Sequence, residues 1–225
     1  MSRTTPLGAL SSRGKRAPLS ARTMWVVKLG GSLAGGQTLP RWLQMLATHG
    51  RGRAVIVPGG GPFADQVRAM QARWRFDDTA AHHMALLAME QYALMLRALR
   101  PELTPAVTVP DVRRVIERGG VPLWLPTSLA LAECPLPQSW DTTSDSLAAW
   151  FATKLDASHL VLVKSISLRD RAASARSLQR DGIVDRLFPE VIARSAFTTI
   201  VLGPSDASRL RALFSGEDDD LAVAR

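Results

Sequence analysis

Short apolar runs alternate with longer segments of helical periodicity along most of this 225-residue chain. Runs of strand length, bounded by glycine, proline or charged residues, predict strands over 25–29, 54–57, 107–109, 121–125, 159–163 and 198–202. Apolar residues three or four positions apart predict helices over 40–47, 62–74, 82–99, 112–118, 146–155, 189–195 and 206–214. This alternation predicts an α/β fold whose mostly parallel sheet is covered by helices on both faces.

The predicted helix over 82–99 is apolar around most of its circumference. Its large apolar side chains are Met84, Leu86, Leu87, Met89, Tyr92, Leu94, Met95 and Leu96. A helix that covers one face of a sheet needs only one apolar stripe. We therefore expect burial on two sides, by the sheet and by a second subunit, and so a homo-oligomer.

The two ends of the chain depart from this pattern. Residues 1–23 are rich in serine, arginine and proline and show no periodicity, so we predict that they are disordered. Met24 stands just before the first strand and is a candidate for the true start of translation. The alternative is that residues 1–23 form a basic tail with a function of its own. We predict a disordered acidic tail over 215–225, which leaves a folded domain over 24–214.

Composition narrows the classes of partner. The net charge of +8 suggests nucleic acid, but five of the 28 basic residues lie in the first 23 positions, and the remaining arginines are scattered rather than interleaved with aromatic residues. No apolar run approaches the roughly 20 residues that span a bilayer, and no secretory h-region follows the basic start. We expect a cytoplasmic protein with neither a nucleic-acid nor a membrane partner.

Cysteine and histidine usage argues against a metal held by these side chains. The single cysteine, Cys134, cannot form an internal disulfide or a cysteine cluster. The histidines show no zinc-ligand spacing, and we interpret all four as structural or exposed: His49, His82, His83 and His159.

Two glycine-rich segments follow the first two predicted strands. The first reads Lys28-Leu-Gly30-Gly31-Ser32, and the second reads Pro58-Gly59-Gly60-Gly61. Glycine lets backbone N–H groups approach an anion closely, and lysine adds a mobile positive charge. Neither segment fits the Walker or the dinucleotide pattern, and one Gly-Gly pair alone is usually a turn. Their occurrence together predicts a phosphate site.

A third segment places two aspartates at the start of a predicted helix. Asp141, Ser144 and Asp145 precede the alanine-rich stretch that begins at Leu147. Asp, Ser and Thr are typical N-capping residues, which accounts for one acid but not for a pair four positions apart. A helix start also suits an anion.

Together the three segments resemble those of the amino acid kinase superfamily, in order and in spacing, over essentially residues 24–214. The resemblance implies a three-layer αβα sandwich and transfer of the γ-phosphoryl group of ATP, with Mg²⁺ carried by the nucleotide, to a phosphorylated or acidic small-molecule acceptor. It also implies the roles of the site residues. Lys28 would neutralise the phosphoryl group, and Asp145 would orient the lysine. Asp141 and Ser144 would contact the acceptor. The backbone of the two glycine segments would hold the phosphoryl oxygens, through Gly30, Gly31, Ser32, Gly59, Gly60 and Gly61.

The chain departs from the family pattern on the nucleotide side. Many members have Thr-Asp after the strand predicted at 159–163, where this chain has Lys164-Ser165, and many have a second catalytic lysine further downstream, where this chain has none. The candidates to replace that lysine are Lys164 or one of the arginines at 169, 171, 176 and 180, each of which also suits a solvated loop.

The segments around 58–65, 140–150 and 181–188 look most like the short branch tied to methanofuran biosynthesis, whose acceptor is an aminomethylfuran-methyl phosphate. An acceptor of this kind carries an ammonium group, for which Asp65, Asp141 and Asp185 are the candidate partners. Isopentenyl phosphate kinases have a histidine beside the second glycine segment, which is absent here. Other kinases of the superfamily, uridylate- or acetylglutamate-like, and a non-catalytic nucleotide-binding storage or regulatory protein remain as alternatives.

Overall fold

A computed structural model describes residues 23–167 and 174–217, and within these ranges the sheet has six strands, all parallel. The strands are β1 (Trp25–Leu29), β2 (Ala54–Pro58), β3 (Leu103–Ala106), β4 (Val121–Trp124), β5 (His159–Val163) and β6 (Thr198–Leu202). Their order in the sheet is β3-β4-β2-β1-β5-β6. The two strands that precede the glycine segments are therefore neighbours, and β1 lies between β2 and β5.

Helices cover both faces of the sheet. They are α1 (Leu39–His49), α2 (Gly61–Trp74), α3 (Asp78–Leu99), α4 (Val109–Glu117), α5 (Thr127–Glu133), α6 (Ser144–Leu155), α7 (Ala175–Arg180), α8 (Phe188–Ile192) and α9 (Ala207–Ser215), and a 3₁₀ turn covers Gly31–Gly35. None of the helices described is long and apolar enough to cross a membrane.

Alternate strand residues supply two separate cores. Val26 and Val55 pack with α4, α6 and α8 on one face, whereas Val27 and Ile56 pack with α1 and α9 on the other. A parallel sheet buried on both faces explains why its strands are continuous apolar runs rather than alternating ones. The predicted αβα sandwich with a parallel central sheet is confirmed.

The prediction of a strand over 107–109 is wrong. Thr108 is instead the N-cap of α4: its hydroxyl accepts from the Asp111 N–H at 3.2 Å, and the Asp111 carboxylate accepts from the Thr108 N–H at 3.1 Å. This reciprocal pair satisfies two N–H groups at the helix start, which outweighs the strand propensity of valine. The strand lies earlier, at Leu103–Ala106, and includes Pro105. Proline is tolerated there because β3 is an edge strand.

The remaining predicted elements are present, with ends shifted by a few residues. The helices α5 and α7 were not predicted, since both are short. Most of the two segments predicted to be disordered, 1–23 and 215–225, lies outside the described residues, as do Arg169 and Arg171. Ser215, at the start of the second segment, is the last residue of α9.

Candidate active site

Two lysines project from the same face of the sheet at the carboxyl ends of neighbouring strands. Lys28 follows Val26 at an interval of two on β1, and Lys164 follows Leu162 at the same interval just beyond β5. Because side chains alternate along a strand, both lysines are on the face that α6 covers. Strand parity and strand order thus bring together two lysines that are far apart in the sequence.

Asp145 joins these two lysines. It lies in the first turn of α6 and is buried, with 4% of its surface exposed. Its Oδ1 is 2.7 Å from the Lys28 Nζ, and its Oδ2 accepts from the Lys164 Nζ at 2.6 Å. Each carboxylate oxygen is therefore used by one ammonium group, which fixes both lysine side chains.

Burial and the neighbouring charges shift the pKa values of Asp145 and Lys164. Burial alone would raise the pKa of Asp145, but the charges of Lys28 and Lys164 outweigh it and hold that pKa at about 2. Burial and the positive charge of Lys28 lower the pKa of Lys164 to about 8, although Asp145 opposes this shift. At neutral pH the cluster holds a carboxylate and two ammonium groups, and so carries one excess positive charge.

Asp185 holds the start of α6 in place. Its Oδ2 accepts from the N–H groups of Thr143 at 2.9 Å and Ser146 at 3.0 Å and from the Thr143 hydroxyl, and its Oδ1 accepts from the Ser146 hydroxyl and the Phe188 N–H. Burial and the nearby charge of Asp145 raise the pKa of Asp185, whereas these hydrogen bonds lower it. Thr143, the N-cap residue by position, makes no capping bond with its own side chain, so Asp185 does this from another part of the chain.

The two glycine segments pack directly against each other. A Cβ atom on Gly31 would overlap the backbone of Gly61, and one on Gly59 would overlap the backbone of Gly31. Gly61 also has a φ of +57°, in the left-handed region that favours glycine. The contact between the loops therefore requires glycine on both sides.

Only part of the glycine backbone is available to a ligand. Gly30 donates its N–H to the Val163 carbonyl at 3.0 Å, and Gly59 donates to the Leu29 carbonyl at 2.9 Å. These two carbonyls already accept from the N–H groups of Gly30 and Gly59, both of which the sequence predicts to hold phosphate oxygens. In the described part of the chain, the N–H groups of Gly31, Gly60 and Gly61 donate to no backbone carbonyl.

A cavity of about 260 Å³ opens beside Lys28. Its wall is formed by the two glycine loops, one side each of α2 and α3, and the segment that leads into α6. The predicted site residues that line it are Lys28, Gly31, Ser32, Gly60, Gly61, Asp65 and Ser144.

The other predicted site residues lie outside this wall. Asp145 and Lys164 are behind Lys28, and Asp185 is behind the start of α6. Asp141 is half-exposed, and one of its oxygens is 3.5 Å from the Arg186 guanidinium. Of the three aspartates considered as ammonium partners, Asp65 is the one in the cavity wall, where it pairs with Arg68 at 3.0 Å.

Sequence reasoning missed three large side chains of the cavity. Arg68 lies over the Trp140 ring at 4.2 Å, and the Trp140 indole N–H donates to Gln71 at 2.6 Å. His82, interpreted above as structural or exposed, also lines the cavity. The available signal was helical spacing: Arg68 is seven residues after Gly61 on α2, and His82 is seven residues before Met89 on α3.

The arginines considered as substitutes for a downstream lysine lie elsewhere or outside the described residues. Arg176 and Arg180 are on α7 and line a separate, wider groove beside α8. Lys164, in contrast, contacts Asp145 directly. Among the residues that the structure describes, no group of three or more His, Cys, Asp or Glu side chains could hold a metal ion.

Comparison with known proteins agrees with this geometry. Residues 23–168 match the model of the amino acid kinase family. The chain belongs to this family. Its two glycine loops, Lys28 and Asp145 all lie within the matched region, and the family match makes the protein a kinase.

One relative in sequence and two solved structures of similar fold align with most of this chain. A protein of Methanocaldococcus jannaschii named [5-(aminomethyl)furan-3-yl]methyl phosphate kinase is 24% identical over 204 residues, which cover 86% of this chain and 94% of the relative. The structure of a uridylate kinase from Archaeoglobus fulgidus superposes with a TM-score of 0.65 at 15% identity, and covers 90% of this chain and 98% of its own. An isopentenyl phosphate kinase superposes with a TM-score of 0.56 at 14% identity, over 87% and 97% of the two chains. These structures share the fold.

The contact between the glycine loops gives a direct test. We expect Gly31→Ala to separate the loops, because its methyl group overlaps the Gly61 backbone. Overpacking of this kind costs about 1–3 kcal/mol, and each kcal/mol lowers the melting temperature by about 2–4 °C in a chain of this length. Kinase activity should fall as well.

Gly35→Ala is the matched control, since it lies in the same 3₁₀ turn and a Cβ atom there meets nothing within 4 Å. Thermal melts and ADP release would be compared for the two variants. Equal behaviour of both would show that the loops do not need this contact.

Proposed function

We propose that this kinase transfers the γ-phosphoryl group of ATP to an aminomethylfuran-methyl phosphate, as a step in the biosynthesis of a methanofuran-type cofactor. The Methanocaldococcus relative, matched over nearly the full length of both chains, supports this acceptor by its name. The observation that carries the proposal is the shape and chemistry of the cavity. One end has the Lys28 ammonium and glycine N–H groups without a backbone partner in the described ranges, the middle is apolar, and the outer end combines the Trp140 ring with polar side chains, which suits a phosphate joined to a flat ring.

The inner end of the cavity suits phosphoryl groups. The cluster of Lys28, Asp145 and Lys164 has one excess positive charge in a buried position, and a bound anion would compensate it. The N–H groups of Gly31 and Gly61 add neutral donors at the same end. When bound with ATP, Mg²⁺ supplies further neutralisation of the phosphoryl oxygens.

Each member of the cluster has its own role in this proposal. Lys28 lines the cavity, so it would contact the transferring phosphoryl group. Asp145 touches both lysines and would position them rather than act on the substrate. Lys164 would take the place of the lysine that many relatives have downstream. Such a site works by positioning and charge neutralisation.

The direction of α2 orients the acceptor. This helix begins at Gly61 beside the phosphate end, and Arg68, seven residues later, is about 10 Å further along the cavity. Leu86, Met89 and Leu147 provide the apolar wall of the cavity. The acceptor phosphate would therefore lie near Lys28 with Ser32 and Ser144 as hydroxyl donors, and its ring would extend towards Trp140.

The size of the cavity favours a small acceptor. Its volume of about 260 Å³ lies just below the range of about 300–1,000 Å³ that is usual for drug-sized ligands. UMP carries both a ribose and a pyrimidine and is considerably larger than a substituted furan. The likeness to the uridylate kinase is one of fold. UMP is therefore the main competing acceptor in the test that follows.

The acceptor is tested by ADP release with a panel of four compounds. We expect aminomethylfuran-methyl phosphate to have the highest kcat/KM, ahead of UMP, acetylglutamate and isopentenyl phosphate, with a reaction lacking any acceptor as the control for ATP hydrolysis. Equal or better turnover of one of the other three would overturn the proposed acceptor and leave the kinase in place. ATP binding without ADP release in any reaction would favour the storage or regulatory alternative.

We further propose that a second copy of the chain covers the outer face of α3. Met84, Leu87 and Leu94 recur at helical spacing on this face and are exposed, Leu94 by 56%. The opposite side of the same helix buries Leu86, Tyr92 and Leu96 against the rest of the fold. A stripe of exposed large apolar side chains on a structured helix is typical of an interaction surface.

Light scattering at micromolar concentration tests this interface. We expect a mass that is a multiple of the 24.4 kDa chain, and dissociation when Leu87 and Leu94 are both replaced by Glu, because two charges cannot be buried between the helices. Leu131→Glu, a similarly exposed leucine on α5, is the control and should leave the mass unchanged. A monomer mass for the unaltered protein would exclude the interface.

A further inference from the structure

The outer end of the cavity is built from groups that neither the phosphate nor the ring of the acceptor requires. The helices α2 and α3 are joined by a short turn and pack against each other as an antiparallel pair, with Tyr92 against Gly61. His82 is ten residues before Tyr92, so it lies about 15 Å along α3 from the glycine loops. It is therefore at the end of the cavity opposite Lys28, on the level of Arg68 and Trp140.

Two buried polar side chains, His82 and Thr142, lie at this end of the cavity. His82 lines the cavity and is 8% exposed, and it forms a hydrogen bond with the backbone of Ser139. Thr142 belongs to the same turn, since its N–H donates to the Ser139 carbonyl at 3.1 Å. Thr142 lines the cavity, and its buried hydroxyl has no hydrogen-bond partner among the described residues. A buried unpaired hydroxyl is costly unless a ligand or water satisfies it.

The imidazole of His82 is a hydrogen-bond acceptor at neutral pH. Burial and the neighbouring His83 lower the pKa of His82, and the net shift is downward. The hydrogen bond to the Ser139 backbone raises this pKa, as expected when the imidazole donates its N–H to a carbonyl. A neutral imidazole has one N–H and one bare nitrogen. With the N–H donated to Ser139, the bare nitrogen can accept a hydrogen bond from a ligand.

Asp65 carries a negative charge near this end of the cavity. Its exposed side chain fixes the direction of a hydrogen bond less firmly than the buried groups of His82 and Thr142 do. Its side chain is 71% exposed and is already paired with Arg68, which also stacks on Trp140. Exposed ion pairs contribute little energy, because water competes for both partners. Discrimination between acceptors is stronger when buried acceptor groups are left unpaired by the wrong ligand.

We propose that His82 and Thr142 are specificity residues that accept hydrogen bonds from the primary ammonium of the acceptor, at the end farthest from its phosphate. This inference rests on the proposed function. The chemical class it selects is a phosphate ester whose far end carries a hydrogen-bond donor, and the same contacts disfavour an analogue in which a methyl group replaces the aminomethyl group.

The test compares acceptor binding and turnover for the amine and for its methyl analogue. We expect His82→Leu to raise the dissociation constant and KM of the amine by about 10–100-fold, the effect of a hydrogen bond to a charged group, with a small change in kcat. The methyl analogue should bind equally well before and after the substitution. His82→Gln, which retains an acceptor oxygen and a donor, should restore most of the preference for the amine.

Two further variants separate recognition from folding. Thr142→Val keeps the shape of the side chain and removes the unpaired hydroxyl, so it should weaken amine binding while the melting temperature stays level or rises. His49→Leu is the matched control, because His49 is exposed at the end of α1 and does not line the cavity. It should leave the binding of both acceptors unchanged.

Calorimetry without ATP distinguishes the two ways in which the idea can fail. If the unaltered protein does not bind the amine at all, the proposed function falls, and this inference falls with it. If it binds the amine, and His82→Leu weakens the binding of both acceptors equally or of neither, the proposed function stands. In that case His82 only anchors the turn over 139–142, and its role in specificity is refuted.

Discussion

One buried carboxylate, that of Asp145, contacts two ammonium groups and so ties the start of α6 to the ends of two neighbouring strands. Burying three charged groups costs several kcal/mol for each ion unless each is paired in good geometry. Lys28 and Lys164 reach Asp145 because β1 and β5 are neighbours in the sheet and place both lysines on one face. Asp185 in turn keeps the start of α6 in position by receiving its free N–H groups. The cluster is thus fixed by the sheet on one side and by a helix start on the other.

The same edge of the sheet brings this cluster next to the glycine loops. Both loops begin where parallel strands end, which is where ligands bind in sheets of this kind. Their backbones touch at Gly31 and Gly61, so the lysine at the end of β1 and the free N–H groups face one small space. The cavity then follows α2 and α3 away from the cluster, and its chemistry changes from charged to apolar to polar along that path. This sequence of environments is the physical basis for the proposed acceptor.

Local patterns in the sequence were sufficient for most of the fold and for the phosphate end of the site. Apolar runs identified five of the six described strands, and the family resemblance pointed to Lys28 and Asp145. The capping pair of Thr108 and Asp111 was also readable in principle, but the valines around it favoured a strand. Lys164 could be named only as one of several candidates, because its contact with Asp145 depends on strand order.

The parts that could not be predicted depend on contacts between distant segments. Asp185 caps a helix that begins some forty residues earlier in the chain, and no local pattern reveals a cap of this kind. His82 and Arg68 enter the site only because α2 and α3 fold back on each other, so neither has a motif of its own. The availability of Gly31, but not Gly30, to a ligand follows from a sheet hydrogen bond that glycine spacing alone does not show.

Lys28, held by Asp145, would neutralise the transferring phosphoryl group, and the rates of two lysine variants measure what this charge contributes. Lys28→Met removes the charge while Asp145 stays paired with Lys164. The control, Lys154→Met, makes the same change at an exposed lysine near the other end of α6, which pairs with Glu133. With the preferred acceptor and a melting curve to confirm folding, we expect kcat to fall by about 10²–10³ for Lys28→Met and to be unchanged for Lys154→Met. A kcat within a few-fold of the unaltered protein for folded Lys28→Met would show that Lys28 does not neutralise the phosphoryl group.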